Sequence, residues 1–198
     1  MTKTVSLCLA WLARLAVLGL FATSVHAQGR PDPKELIAAQ QAALAPLRIF
    51  DGVWRGPFTI WLPRGQELQN TQIERVGGLL SDSIKLIEGR GWAADGTLSF
   101  NAFGVISYSP FEKKFSFHSY AQGFSGDFPL EVRPDGFTWT APAGPGATIR
   151  YTATVKEGAW IEVGDLLVEG RPPQRTFEMA LKRVADTDWP AAGAVPQR

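Results

Sequence analysis

Leu98-Ser99-Phe100-Asn101-Ala102-Phe103-Gly104-Val105-Ile106-Ser107-Tyr108 is the stretch on which the fold turns. Leu98, Phe100, Ala102, Ile106 and Tyr108 fall on one side of an extended chain, and this period of two marks a strand with one buried face. Three other segments repeat the pattern: Trp54, Phe58, Ile60 and Leu62; Ile149, Tyr151, Ala153 and Val155; and Phe177, Met179 and Leu181. Weaker segments near 68–76, 80–90, 113–122, 127–133, 137–141 and 158–168 bring the expected total to about ten strands. Turn signals lie between them at Gly77-Gly78, Asp95-Gly96, Ser109-Pro110, Pro134-Asp135-Gly136 and Glu157-Gly158. Strands joined this tightly pair antiparallel, because a parallel crossover needs a dozen or more residues. Hairpins in this number close into an up-and-down barrel, which removes exposed edges. A two-sheet sandwich is the alternative.

Outward from the strands, Asp32-Pro33-Lys34-Glu35 reads as a helix start, with Asp32 as cap and Pro33 in the first turn. Leu36, Ile37, Ala43, Leu44 and Leu47 recur at helical spacing, and Pro46 marks the end. One short amphipathic helix is expected to pack on the body of the domain. Before it, Lys3 and Arg14, the apolar run Leu15 to Ala22, and Val25-His26-Ala27 have the layout of a secretory signal peptide. The expected organisation is a signal peptide over 1–27, a linker and helix over 28–49, a β-barrel domain over 50–184 and a flexible tail over 185–198. Cleavage near Ala27 implies a periplasmic or secreted protein with no membrane span in the mature chain.

That cleavage removes 27 of the 198 residues, together with Cys8, His26, Lys3 and Arg14. The mature part then has no cysteine and is held by core burial alone. Two basic residues fewer leaves 18 Lys and Arg against 19 Asp and Glu. A near-neutral chain without a basic stripe argues against nucleic acid as a partner.

The approach to the first strand, Leu47-Arg48-Ile49-Phe50-Asp51-Gly52-Val53-Trp54-Arg55-Gly56, resembles the opening of lipocalin-like (calycin) barrels with their Gly-x-Trp signature. The chain is most similar to an exported bacterial family of unknown function with such a barrel. Phe103-Gly104-Val105-Ile106-Ser107-Tyr108, Arg150-Tyr151 and Phe177 to Val184 carry the likeness, which covers Leu47 to Val184. The implied fold is all-β, an antiparallel up-and-down lipocalin-like barrel of about ten strands with one short N-terminal helix. The resemblance also implies a structural latch, with Arg183 of the last strand packed across Trp54 as a cation over an indole. A nitrobindin-like branch with a similar opening holds haem iron through a histidine late in the chain. No histidine follows His118 here, so no cofactor is expected.

Candidates for chemistry are few. His118, in Phe115-Ser116-Phe117-His118-Ser119-Tyr120, is the one mature histidine. It is a surface residue if the phenylalanines face inward, and a cavity residue with Tyr120 if they face outward. Ser125, His118 and Asp127 lack the Gly-x-Ser-x-Gly pattern of a nucleophile elbow and read as a glycine-rich hairpin. Among strand carboxylates, Glu162 shares parity with Trp160 and Glu74 with Val76, so these two are pocket candidates, while Glu178 alternates outward against Phe177 and Met179. One histidine without cysteine offers no nitrogen- or sulfur-rich metal site. The remaining signal is aromatic: Trp139 and Trp160 are chosen as cavity walls, with Arg150 and Tyr120 as polar anchors. The candidate ligand-binding set is therefore His118, Tyr120, Trp139, Arg150, Trp160, Glu162 and Glu74. No catalytic residue is assigned.

Three functions fit this reading. The first is an exported protein that binds or carries a small apolar ligand inside the barrel. The second is an enzyme using His118 or an inward carboxylate as acid or base. The third is a structural or partner-binding module with a solid core. The sequence sets no oligomeric state.

Overall fold

The computed structural model describes residues 31–189. The segment expected to be a signal peptide, and the tail beyond Trp189, lie outside the described residues. Ten strands form one closed antiparallel barrel: β1 (Gly52–Trp61), β2 (Glu67–Leu79), β3 (Ile84–Trp92), β4 (Leu98–Ser109), β5 (Lys114–Ala121), β6 (Phe124–Arg133), β7 (Gly136–Pro142), β8 (Ala147–Lys156), β9 (Ala159–Val168) and β10 (Gln174–Ala185). Every strand pairs with its neighbour in sequence, and β1 pairs with β10 to close the wall. The barrel alternative holds and the sandwich does not.

One end of the barrel is plugged. Helix α1 (Pro33–Leu44) starts where Asp32 accepts a hydrogen bond from the Lys34 backbone N–H at 2.9 Å. A 3-10 turn over Ala45–Phe50 then carries Leu44, Leu47 and Phe50 into the core, each almost fully buried. Phe50 packs at 5.0 Å on Phe137 and at 4.9 Å on Trp160, and Trp160 meets Trp54 edge to face at 6.0 Å. Such tilted pairs are the favoured geometry of aromatic cores. The helix is fastened outside by Gln40, which donates to the Tyr108 carbonyl, and Gln41, which donates to the Ser81 carbonyl.

A buried Lys85 pairs with the partly exposed Asp51 at this plugged end. Lys85 alternates with Ile87 and Gly89 along β3, so the barrel wall itself turns its ammonium inward.

Two local expectations are corrected. Gly77-Gly78 is not a turn but part of β2, and the chain reverses at Leu80, Ser81 and Asp82, all with left-handed φ of 52–61°. Gly77 is needed in the strand because a Cβ there would lie 2.8 Å from Thr187 Oγ1 and from Trp189 Cβ. Residues 185–189 are therefore not a loose tail. Trp189 lies under the Arg75 guanidinium at 4.0 Å and against Phe103, while Arg75 also pairs with Glu88 and Asp188. These contacts strap residues 186–189 across the outer face of β2, β3 and β4.

The expected latch differs in chemistry. Arg183 stands opposite Trp54 in register. Its Nε donates to the Asp51 carbonyl at 3.0 Å, and its other end pairs with Asp186. The cation–π contact among the described residues is Arg75 over Trp189, not Arg183 over Trp54. Gly52, at φ 140°, makes the Arg183 tie possible, since a Cβ there would lie 2.6 Å from its Nε. The Trp54 indole N–H instead donates to the Phe50 carbonyl at 2.7 Å, joining strand to plug. Among the described residues no helix is long and apolar enough to cross a membrane.

Candidate functional site

Beyond the aromatic plug the barrel is hollow. A cavity of about 280 Å³ is bounded by inward residues of β1, β2, β3, β4, β5, β7, β8, β9 and β10. Most of its wall is apolar: Phe58 and Ile60, Ile87, Phe100 and Ala102, Phe117, Phe177 and Met179. Trp139 and Tyr151 form one side, their rings stacked at 4.1 Å with 11° between planes. Phe117 packs on Trp139 at 5.1 Å, and Phe177 on Tyr151 at 5.9 Å. Gly164 gives this wall its room, for a Cβ there would lie 2.9 Å from the Tyr151 ring.

The polar part of the lining is Gln72, Glu74, Glu162, the Tyr151 hydroxyl, Ser119 and the Trp139 and Trp160 indole nitrogens. Gln72 and Glu74 sit two residues apart on β2, and the Gln72 amide donates to Glu74 Oε1 at 2.6 Å. Gly89 on β3 faces this pair directly: a Cβ would lie 2.6 Å and 2.9 Å from the two carboxylate oxygens. On β9, Glu162 accepts from Trp139 Nε1 at 3.2 Å.

Burial governs the electrostatics. Loss of solvent pushes the Glu74 carboxyl up to about 8, against the Gln72 hydrogen bond, with Glu162 and Glu88 adding to the rise. Glu162 is pushed up to about 7 by the same loss of solvent, which the Trp139 N–H opposes. The Trp160 N–H leans in the same direction as that of Trp139 but lies outside hydrogen-bond geometry. Burial and the Glu162 charge also raise Tyr151. Trp160 Nε1 and Gln72 Oε1 are buried without a partner. An orphaned donor and an orphaned acceptor in one cavity wall are costly to leave unmade.

The sequence-chosen residues divide. Trp139, Trp160, Glu162 and Glu74 all line the cavity. His118, Tyr120 and Arg150 do not, and each is corrected by strand parity. Phe117, Ser119 and Ala121 are the inward residues of β5, so His118 and Tyr120 point outward. His118 Nδ1 lies 2.8 Å from Asp127 Oδ1 on the outer surface, and Tyr120 is half exposed. Arg150 directly precedes Tyr151, and with Tyr151 inside it is turned to solvent and is exposed. The proposed use of His118 as an intracavity acid or base falls with its orientation.

Gln72 and Tyr151 also line the cavity and lie outside the set expected from sequence. Gln72 shares the parity of Glu74, and Tyr151 lies on an alternating face already read as inward, so both carried a signal. Glu88 and Glu178 are outside, paired with Arg75 and Arg90 and with Arg175. Among the described residues no group of three or more His, Cys, Asp or Glu is placed to hold a metal ion.

No protein-family profile matches the chain, and no curated protein matches it. The fold is similar to that in the crystal structure of Rv2717c from M. tuberculosis, with a TM-score of 0.54 at 13% identity. The match covers 72% of this chain and 97% of that one. At this identity the likeness describes the barrel and not its contents.

Proposed function

We propose that the barrel binds one small, largely apolar molecule whose polar group meets the Gln72, Glu74 and Glu162 end of the cavity. One observation carries this reading: a mostly apolar cavity has a few polar lining groups, among which a buried donor and a buried acceptor lack partners. Small-ligand sites have this composition, mostly apolar with a few placed polar groups. Size narrows the class. A cavity of about 150 Å³ takes one benzene, so about 280 Å³ suits a molecule of one or two rings rather than a long acyl chain.

The test is direct. Full-length protein purified under native conditions is extracted and searched for bound small molecules by mass spectrometry. The emptied protein is then titrated with one-ring probes such as toluene and phenol while the Trp139 and Tyr151 signals are followed by NMR. Saturable shifts confined to the cavity are expected. No bound molecule and no shift at millimolar probe would end the proposal.

Acid–base chemistry is the second reading, favoured by a Glu162 carboxyl that titrates near neutrality inside a cavity. It requires that a molecule found there be altered on incubation, and that Glu162→Gln abolish the alteration. We further propose a lipocalin-like protein exported with cleavage near Ala27. The inward Trp54 after Gly52 and the charge and apolar layout of residues 1–27 support this. N-terminal sequencing of protein recovered outside the cytoplasm, starting at Gln28, tests the second half.

A further inference from the structure

We infer that the ligand is a small aromatic amine, held as its ammonium cation at the Glu74 and Glu162 corner with its ring against Trp139 and Tyr151. This rests on the reading that the cavity takes a ligand at all. Two carboxylates from separate strands, β2 and β9, which lie on either side of the β1–β10 seam, line one cavity. No Lys, Arg or His is among the cavity-lining residues. The buried Lys85 is at the plugged end and is paired with Asp51, and the exposed Arg183 donates to the Asp51 carbonyl there. The acids thus have hydrogen-bond donors, from Gln72 and Trp139, but no counter-charge.

The orphaned atom supplies the second, independent indication. Gln72 is 3% exposed, lines the cavity and leaves Oε1 unpartnered. An ammonium group has three N–H donors and no acceptor. It fits two carboxyl groups and a carbonyl oxygen, whereas a carboxylate or phosphate ligand would find no cation in the lining to balance it. Stacked aromatic rings beside the acids suit both an apolar ring and a cation near a π face.

Charge balance makes the proposal measurable. The groups facing the corner are Glu74 and Glu162, with Tyr151 on β8 and Glu88 behind β3. Desolvation keeps the Glu74 carboxyl largely protonated and the Glu162 carboxyl about half protonated at neutral pH in the empty cavity. An arriving ammonium favours their ionised forms, and each carboxyl that ionises releases one proton to solvent.

The experiment compares 2-phenylethylamine with n-propylbenzene, its near-isosteric neutral counterpart, by calorimetry in two buffers of different ionisation enthalpy. The amine is expected to bind at least tenfold more tightly and to release protons. The Glu74→Gln, Glu162→Gln double variant should lose at least tenfold in amine affinity while keeping its affinity for propylbenzene. Equal or tighter propylbenzene binding by the unaltered protein overturns the amine and leaves the cavity reading standing. Amine binding without proton release, or undiminished in the double variant, also overturns it. Binding of neither probe overturns both readings. If the double variant fails to fold, the probe comparison and proton count on the unaltered protein decide alone.

Discussion

The indole of Trp139 is held from two directions: Tyr151 stacks on its face at 4.1 Å, and Glu162 accepts from its edge nitrogen at 3.2 Å. One side chain therefore ties the apolar wall of the cavity to its charged corner. Trp139→Phe separates the two roles, keeping a ring for Tyr151 and removing the N–H. A hydrogen bond to a charged acceptor is worth about 1.5–3 kcal/mol and one to a neutral acceptor about 1. The variant should lose more stability at about pH 9, where Glu162 is ionised, than at about pH 6. Urea unfolding at the two pH values measures the difference, and equal losses would show that the N–H does not serve the carboxylate.

The raised carboxyls fix the sign of the pH dependence. Glu74 and Glu162 titrate at about 8 and about 7 in the folded chain, against an ordinary 4.5. Between about pH 4.5 and 8 the folded chain keeps protons that the unfolded chain has released, so stability falls as pH rises through that window. Their contribution is fully present below it. The Glu74→Gln, Glu162→Gln variant should show a flatter profile. A wild-type urea midpoint that is unchanged or higher at about pH 8.5 than at about pH 5 would refute the assignment.

Gly89 leaves the space that the Glu74 carboxylate occupies. Gly89→Ala forces a Cβ against both carboxylate oxygens, and overpacking of this kind costs about 1–3 kcal/mol. Thermal melting should show the loss, with weaker retention of any cavity probe. An unshifted melting temperature would mean that Glu74 moves freely, contrary to its buried position.

Arg75 fastens the segment after β10 through Asp188 and the face of Trp189. Arg75→Ala should release it at a cost of about 1 kcal/mol or less, because both contacts are partly exposed. Hydrogen exchange at residues 186–189 should accelerate while the barrel strands stay protected. Unchanged exchange there would show that the packing of Thr187 and Trp189 on Gly77 holds the strap alone.

Alternation carried much of this structure in plain sight. In extended β2 and β9, parity with the apolar Val76 and Trp160 puts Glu74 and Glu162 on the inner face. In β5 both faces hold aromatic or polar groups of similar bulk, Phe115 and Phe117 against His118 and Tyr120, so period alone could not orient it. What orients it is distant: Phe117 fills the room left by Gly104 of β4. Arg150 was separable from the cavity by its adjacency to Tyr151. Gln72 was harder, since glutamine is ordinary on either face and only its burial marks it. The Gly77-Gly78 pair read as a turn because local chemistry favours one, and a contact from residues about 110 positions later put it inside a strand instead.

Nine of the ten strand pairings join neighbours in sequence, whereas the seam between β1 and β10 joins the two ends of the barrel. A ribosome delivers β1 first, and its free edge must wait for about 120 residues before β10 emerges to cover it. The seam is thus the slow, nonlocal step of folding and the interval of greatest aggregation risk. A chain cut at an external hairpin and rejoined at its old ends would turn that seam into a local turn and shorten the wait.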